Sequence, residues 1–290
     1  MGLTLGGNNS SFKSIRYLND AKSKMDKSLL KISSGKRILT AADDSGGLSV
    51  AMKLQNQINT TKAAQDRVEN SKSFVEMQDT ALSTAGDILS EMSQVKADYE
   101  AQSDKSSSIA QTYASQFREL QVQLGSLKSE QLNGVSLFSS DSSTSMTVYT
   151  STNGSSGASV TLDHLDYSAG VSLASGAPGR TLGAISAGTA VSVSAVSRDD
   201  LTTITEQIAS LRAEAGGDLS TLGFASDYLS NMSVNMESAH GRIMDVNLAE
   251  ESSNFARYSM QYEAAAAAVA QANVAMGAVL DLLLSSVNRD

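Results

Sequence analysis

Apolar side chains recur every three or four residues along most of this chain of 290 residues. The pattern covers residues 15–32, about 48–99, about 109–127 and 201–243. Such spacing places apolar side chains on one face of an α-helix. We therefore predict four amphipathic helices over these ranges, of which the second would be ~75 Å long. Gly216-Gly217 could interrupt the fourth helix. The stripe of the first helix consists of Ile15, Leu18, Ala21, Met25, Leu29 and Ile32.

The last apolar pattern repeats every seven residues. One series is Phe255, Tyr262, Val269, Met276 and Leu283, and a second, four residues later, is Ser259, Ala266, Asn273, Leu280 and Val287. A heptad repeat sustained in this way predicts a coiled-coil strand, in which a polar Asn273 would fix the register. Such a strand cannot bury its stripe alone. It needs the first helix, other copies of the chain, or both.

The pattern changes between about residues 136 and 197. The sequence SMTVYTSTNGSSGASVTLDHL alternates apolar and polar residues in two runs around Asn153-Gly154, which predicts two strands and a turn. Ser, Thr and Gly are abundant here, so we interpret the segment as an exposed outer lobe. A low-complexity linker is the alternative interpretation.

Composition argues against an enzyme. The chain has no Cys, no Trp, one Pro and two His, and aromatic residues make up 5% of it. Without cysteine there is no disulfide framework, thiolate site or cysteine nucleophile. The two histidines, His164 and His240, lie in no HExxH motif or recognisable catalytic arrangement. We predict no catalytic residues, no metal site and no cofactor.

The charge is distributed unevenly. The net charge of −9 argues against nucleic-acid binding. Residues 1–42 carry eight basic against two acidic residues, whereas residues 245–290 carry two basic against six acidic residues. Either the two ends lie beside each other, or each is a solvated face.

The sequence also bears on location. No apolar run approaches the ~18 to 20 residues that span a bilayer, so we predict no membrane association. The first residues lack the basic-then-apolar plan of a cleaved secretory signal. We therefore expect any export to use a route that needs no such signal.

The stretch SLLKISSGKRILTAADDSGGLSVA, residues 28–51, interrupts the helical pattern with the acidic pair Asp43-Asp44. A metal loop, a phosphate cradle and a joint between helices are the possible interpretations. The pair lacks the alternating oxygen ligands of a calcium loop, and the stretch lacks GxxxxGK[ST]. We predict a joint, in which Asp43-Asp44 cap a helix that opens near Leu48 and Gly46-Gly47 allow a bend.

The same stretch resembles the N-terminal signature of bacterial flagellins. The matching residues are Ile32, Ser33, Ser34, Gly35, Arg37, Ile38, Ala41, Asp43, Asp44, Gly47 and Leu48. Residues 238–251, SAHGRIMDVNLAEE, and the later AAAAAVAQANVAMGAVLDLL are similar to the C-terminal flagellin motifs. The departures are Leu39 for Asn, Ser45-Gly46 for Ala-Ala and Asn247 for Asp.

The resemblance implies a mainly α fold in which paired N- and C-terminal segments form a long-helix coiled coil or bundle, with a small β-hairpin region in the middle. It implies an inner coiled-coil domain, residues 1–42 plus 246–290. Residues 43–245 would form an outer helical bundle with a β-rich segment at about 136–197. A joint between the two, formed by Gly35, Arg37, Asp43, Asp44 and Gly47, would act as a spoke.

The implied function is that of a structural subunit that self-assembles into the extracellular flagellar filament and so enables swimming motility. The implied partners are copies of itself, an export chaperone that holds the C-terminal helix, and cap and hook-associated proteins, with export through the flagellar type III apparatus. Together with the periodicity, the resemblance predicts a polymerisation interface made of Ile15, Leu18, Met25, Leu29, Ile32, Phe255, Tyr262, Val269, Asn273, Met276, Leu280, Leu283 and Val287.

Two alternatives stay open at this point. A hook–filament junction protein has similar ends and would differ by its low abundance. A secreted adhesin or enzyme with flagellin-like ends would need a larger insertion than residues 136–197 provide.

One patch departs from the family. Where many flagellins carry a segment recognised by an innate immune receptor, this chain has Gln94 in place of Arg and Asp98 in place of Leu. Asp98 puts a charge where an apolar contact belongs, so we expect receptor recognition to be weak or absent.

Overall fold

The computed structural model describes residues 9–138, 146–151, 157–162, 165–167, 171 and 190–287. It contains long helices and short strands, which confirms the predicted fold class. The helices are α1 (Asn9–Ser34), α2 (Ser45–Ala101), α3 (Ser108–Ser126), α4 (Arg198–Met244) and α5 (Leu248–Val287). The strands are β1 (Gln131–Leu132), β2 (Val135–Ser136), β3 (Met146–Tyr149) and β4 (Ser159–Leu162). Two short 3₁₀ turns cover Leu127–Ser129 and Val193–Ala195.

The contacts divide the chain into two units. We call residues 1–56 and 236–290 the terminal unit, and residues 57–235 the middle unit. Helices α2 and α4 each contribute residues to both units. The assignment of inner and outer roles, with boundaries at 42/43 and 245/246, stays a prediction.

In the terminal unit, α1 packs along α5. The helices are antiparallel, because Ser28 near the end of α1 hydrogen-bonds Glu251 near the start of α5. Buried or half-buried positions recur every three or four residues on both helices, which is the spacing of a coiled-coil seam. On α1 the seam positions are Ser14, Leu18, Ala21, Met25, Ser28 and Ile32, and on α5 they are Glu251, Phe255, Tyr258, Tyr262, Ala265, Val269 and Ala272. Lys31, Asn254, Ser259 and Ala266, next to seam positions, are also half-buried.

The middle unit has one contiguous apolar core. Each of its three helices supplies side chains with almost no exposed surface, among them Val68, Leu82, Leu89 and Met92 on α2, Phe117 and Leu124 on α3, and Leu201, Ile204, Ile208, Leu222 and Leu229 on α4. At ~1.5 to 3 kcal/mol for each fully buried side chain, this core can stabilise the unit without a partner.

Two antiparallel hairpins lie between α3 and α4 in the sequence. In the first, β1 pairs with β2 across Asn133 and Gly134, whose φ angles of 52° and 82° are those of a type I′ turn. In the second, β3 pairs with β4 with Met146 opposite Leu162 and Tyr149 opposite Ser159. This confirms the two predicted strands, while the predicted turn at Asn153-Gly154 lies outside the described residues.

Buried polar side chains of α2 and α3 hydrogen-bond the chain at Val191 and Val193, shortly before α4. The Gln121 amide donates to the Val191 carbonyl and accepts from the Val191 N–H, both at 2.8 Å. Lys96, which is 4% exposed, donates to the Val193 carbonyl at 2.9 Å and pairs with Glu100 at 3.1 Å. Because such groups are costly to bury unpaired, these contacts specify where the chain rejoins the helices.

None of the described helices combines the length and the apolar character of a bilayer span.

Candidate assembly surface and the joint beside it

The structure separates the predicted interface residues of α1 into two groups. Leu18, Met25 and Ile32 are half-buried in the seam with α5. Ile15 and Leu29 are 41% and 52% exposed, because Ser14 and Ser28 occupy the seam positions beside them. A single molecule therefore covers only part of the predicted stripe.

The predicted residues of α5 also separate. Phe255, Tyr262 and Val269 are half-buried in the seam. The positions that alternate with them are Tyr258, Ala265 and Ala272, whereas Ser259 and Ala266 are half-buried one position further round and Asn273 and Met276 are exposed. The side chains of Leu280, Leu283 and Val287 lie outside the described residues.

Large apolar side chains remain exposed on both terminal helices. Phe12 is 70% exposed and Leu30 60% on α1, while Met260 is 64% and Val274 66% exposed on α5. Isolated exposed apolar residues are common, but a set of them along both helices of one pair marks an interaction surface. This is the candidate assembly surface.

Beside this helix pair lies the joint, which we define as residues 35–47 together with 243–246. Gly35 ends α1 with a φ of 69°, a left-handed conformation that glycine adopts without steric cost. Its carbonyl accepts from the Val246 N–H at 2.9 Å, and the Arg37 N–H donates to the Met244 carbonyl at 2.6 Å. The two chain segments therefore pair like strands at the point where α1 and α4 both end.

Arg37 caps the end of α4. Its guanidinium donates to the Ile243 carbonyl through Nε at 3.1 Å and through an Nη at 2.8 Å. The last carbonyls of a helix lack intrahelical partners and carry partial negative charge, so a cation is stabilising there. Arg37 also lies 3.6 Å from the Asp44 carboxylate.

The two residues of the predicted acidic cap, Asp43 and Asp44, have different structural roles. Asp44 is the N-cap of α2, since its Oδ1 accepts from the Gly47 N–H at 2.7 Å. A Cβ on Gly47 would lie 2.4 Å from Asp44 Oδ2 and 3.0 Å from the Ile38 side chain. Gly47 is thus needed for close approach, whereas the prediction assigned it to a bend.

Asp43 binds the turn before the helix instead of the helix itself. Its Oδ2 accepts from the N–H groups of Leu39 at 3.0 Å and Thr40 at 3.1 Å. Its other oxygen lies 2.5 Å from the Lys27 ammonium on α1. The Lys27 hydrogen bond, followed by those of Thr40 and Leu39, holds the pKa of the Asp43 carboxyl well below its usual range.

Sequence reasoning missed three features of the joint and of the seam beside it. Lys27 was part of a general basic excess, and nothing in the sequence links it to Asp43. Met244 packs with Ile38 and Ala51 in a small buried cluster that joins the end of α4 to the start of α2. The buried Ser28, bonded to Glu251, occupies an apolar seam as a polar residue, which hydrophobic periodicity does not detect.

The oxygens of Asp43 and Asp44 are occupied by N–H groups and cations. In the part of the chain that the structure describes, no three His, Cys, Asp or Glu side chains lie close enough to hold a metal ion. Elsewhere on α2, Gln94 is exposed and Asp98 half-buried.

Comparison with known proteins assigns the chain to a protein family. The profile of the bacterial flagellin N-terminal helical region matches residues 7–143, and that of the C-terminal helical region matches residues 199–283. The chain belongs to the bacterial flagellin family. Together the two profiles cover most of the chain, and each covers one of the helical ends that meet in the terminal unit.

Similar curated proteins support the same family assignment. The chain is 27% identical over 266 residues to a flagellin of Halalkalibacterium halodurans, an alignment that covers 89% of this chain and 91% of the relative. It is 26% identical over 290 residues to the flagellar filament 30.7 kDa core protein of Treponema maltophilum, covering 97% of this chain and 100% of the relative. Flagellins are structural proteins, so the prediction that the chain is not an enzyme is confirmed by its family.

Proposed function

We propose that this chain is a structural subunit of the bacterial flagellar filament, outside the cell, where copies assemble into a helical tube used for swimming. The family and the names of the relatives support this function. The observation that carries it in the structure is the set of exposed apolar side chains along α1 and α5.

The assembly mechanism follows from what the single molecule leaves exposed. Ordering a residue costs ~1 to 2 kcal/mol of backbone entropy, which a half-buried helix pair only partly offsets. Burial of Phe12, Leu30, Met260 and Val274 against neighbouring copies would contribute ~1.5 to 3 kcal/mol for each side chain that becomes fully buried. Assembly and full ordering of the terminal helices are therefore coupled.

The contacts of the joint support this mechanism. Arg37 connects the end of α4 to the start of α2, because it hydrogen-bonds the Ile243 carbonyl and lies close to the Asp44 carboxylate. The ion pair of Lys27 with Asp43 connects α1 to the turn before α2. We propose that residues 1–42 and 246–290 form the inner part of the filament subunit and residues 43–245 the outer part, with the joint as the spoke.

Further partners belong to the same proposal. An export chaperone would hold the apolar face of α5, and cap and hook-associated proteins would meet the subunit during growth. Receptor recognition through the α2 patch would be weak, because Asp98 carries a charge on it. Nanomolar signalling by the purified monomer in a receptor reporter assay would contradict that last point.

Seeded polymerisation tests the main proposal. Purified full-length chain is added to short filament fragments and the length increase is followed by electron microscopy. We expect long helical filaments made of this chain. The absence of any elongation would contradict the proposal, and detection of only a few copies per sheared natural filament would favour the junction protein instead.

A further inference from the structure

Methionine supplies all the sulfur of this chain, which has 11 methionines and no cysteine. Cysteine thiolates are the side chains that oxidants usually attack first in a protein. Without them, the thioether of an accessible methionine is the next target, and its product is methionine sulfoxide. Flagellin filaments lie outside the cell, where the environment is oxidising, so this chemistry bears on the subunit.

Exposure separates the described methionines into those that a dissolved oxidant can reach and those that it cannot. Met92 in the middle core has no exposed surface, and Met244 in the joint is 8% exposed. Four methionines are between 42% and 66% exposed, namely Met52, Met77, Met260 and Met276. The first two lie on α2 and the last two on α5. An oxidant therefore meets two accessible thioethers on each of these helices.

Met260 stands out among the exposed side chains of its part of α5. It lies two residues from the seam residues Tyr258 and Tyr262, and a rotation of about 100° per residue turns it about 160° away from each. Residues 252–273 are all described, and the other exposed positions among them hold Ser, Ala, Gln, Asn, Glu or Arg. A chemical change at this sulfur thus alters the one large apolar contact that this stretch offers a neighbour.

Met276 provides a second accessible thioether, in the part of α5 that also exposes Val274. Met260 and Val274 belong to the candidate assembly surface, and Met276 belongs to the predicted polymerisation interface. The exposed methionines of α2, Met52 and Met77, belong to neither. The two pairs therefore have the same chemistry and comparable exposure but differ in their relation to assembly.

The chemical step requires only a peroxide. The thioether sulfur attacks one oxygen of hydrogen peroxide, the O–O bond breaks as the S–O bond forms, and the proton of the transferred oxygen passes to the departing hydroxide, which leaves as water. Sulfur is oxidised by two electrons, and the peroxide is reduced by two. The product carries a strongly polar S–O group where the subunit had an apolar sulfur.

We propose that Met260 and Met276 are oxidation sites at which peroxide stops the addition of this subunit to a filament. The inference rests on the proposed filament function, in which neighbouring copies cover these side chains. A covered sulfoxide loses its hydrogen bonds to water, and burying such a group without a partner is costly. Oxidised subunits therefore add poorly, whereas subunits already in a filament keep both sulfurs covered and resist the oxidant.

Treatment of the full-length chain with hydrogen peroxide tests the proposal, with the critical concentration for growth on preformed seeds as the readout. Met260→Leu with Met276→Leu removes the exposed thioethers of α5, and Met52→Leu with Met77→Leu is the matched control on α2. Each treated variant is compared with its own untreated sample, so the effect of leucine itself cancels. Peptide mass spectrometry locates the added oxygen atoms, and circular dichroism of the monomer checks the fold.

We expect peroxide to raise the critical concentration of the unsubstituted chain about tenfold, which corresponds to about 1.4 kcal/mol. The α2 double variant should show the same rise, and the α5 double variant should show almost none. Mass spectrometry should find oxygen on Met260 in treated monomers and little in treated filaments. Incubation of the treated chain with methionine sulfoxide reductases should restore growth.

Protection by the α2 substitutions, or equal rises in both double variants, would overturn the proposal, because the thioethers of α5 would then not be decisive. An unchanged critical concentration after oxidation of Met260 and Met276 would overturn it as well. So would oxidation of Met92 before Met260, or equal oxidation of Met260 in monomers and filaments. Failure of the untreated, unsubstituted chain to elongate seeds would instead contradict the filament function itself.

Discussion

Both units of this chain contain long amphipathic helices, but they bury the apolar faces of those helices to different extents. In the middle unit the apolar faces of α2, α3 and α4 converge on side chains such as Leu82, Leu89 and Phe117, which have no exposed surface. In the terminal unit α1 and α5 meet along one seam, where Ala21 is buried and the larger side chains are only half-buried. Three or more helices can enclose a core, whereas two cannot. The middle unit therefore buries its apolar faces within one molecule, whereas the terminal unit leaves large apolar side chains exposed.

Removal of residues 270–290 should have the largest effect on this difference between the two units, because it should abolish assembly and leave the middle unit folded. The deletion takes away the last part of α5, including the exposed Val274 and Met276, but no residue of the middle unit. We expect a folded protein whose middle unit melts as before and which forms no filaments in electron micrographs. Normal filaments from the truncated chain would show that α5 is dispensable for assembly.

Two leucine-to-alanine substitutions test the difference between the two units at single residues. Leu89→Ala opens a cavity in the middle core and should lower the free energy of unfolding by about 2 to 5 kcal/mol. Leu30→Ala alters an exposed residue of α1, so it should change monomer stability by less than about 0.5 kcal/mol while it raises the critical concentration for polymerisation. Chemical denaturation and seeded growth measure the two effects. A large loss of monomer stability in Leu30→Ala would mean that α1 is already buried.

Within the joint, neighbouring glycines provide a matched pair. Gly47→Ala places a methyl group against the Asp44 carboxylate and Ile38, so the N-cap must shift at a cost of about 1 to 3 kcal/mol. The Cβ of Gly46→Ala would lie at an ordinary 3.7 Å from Asp44 Oδ1, and this control should be neutral or slightly stabilising. Hydrogen exchange of the Arg37 and Gly47 amides reports the opening of the joint. Equal exchange rates in both variants would contradict the cap geometry.

Acid should loosen the joint through Asp43, with the smallest of the four effects. Its pKa in the folded chain lies below the value of about 3.9 in the unfolded chain, so its stabilising contribution is present above that value and is lost as the pH falls below it. Asp43→Asn should remove this pH dependence from the exchange of the Leu39 and Thr40 amides. Identical acid profiles in Asp43→Asn and the unsubstituted chain would assign the effect to other carboxyl groups.

The helices, the β3–β4 strands and the family could be predicted because each has a local signal. Apolar spacing located the helices, alternation located the strands, and the stretch at residues 28–51 carried the family motif. The polymerisation interface stays a prediction, and only the seam between α1 and α5 can be compared with the sequence. Periodicity placed Leu18 and Phe255 correctly on the seam, but it cannot show that Ser14 and Ser28 complete that seam and leave Ile15 and Leu29 exposed.

The features beyond prediction depend on residues far apart in the sequence. The separate partners of Asp43 and Asp44 follow from where α1 and α4 end, and Arg37 reaches Ile243 from 206 positions away. Likewise, the hydrogen bonds between Gln121 and Val191 form only in the folded middle unit, and no local sequence pattern marks either residue. Propensity and periodicity describe single elements, and these contacts exist between elements.

Hydrogen exchange of the full-length chain, measured residue by residue before and after polymerisation, tests the central claim most directly. We predict strong protection of α3 and the core-facing parts of α2 and α4 in both states. The amides of α1 and α5 should exchange quickly in the monomer and become protected in the filament. Equal, strong protection of α1 and α5 in the monomer would contradict the claim that these helices are completed by neighbouring copies.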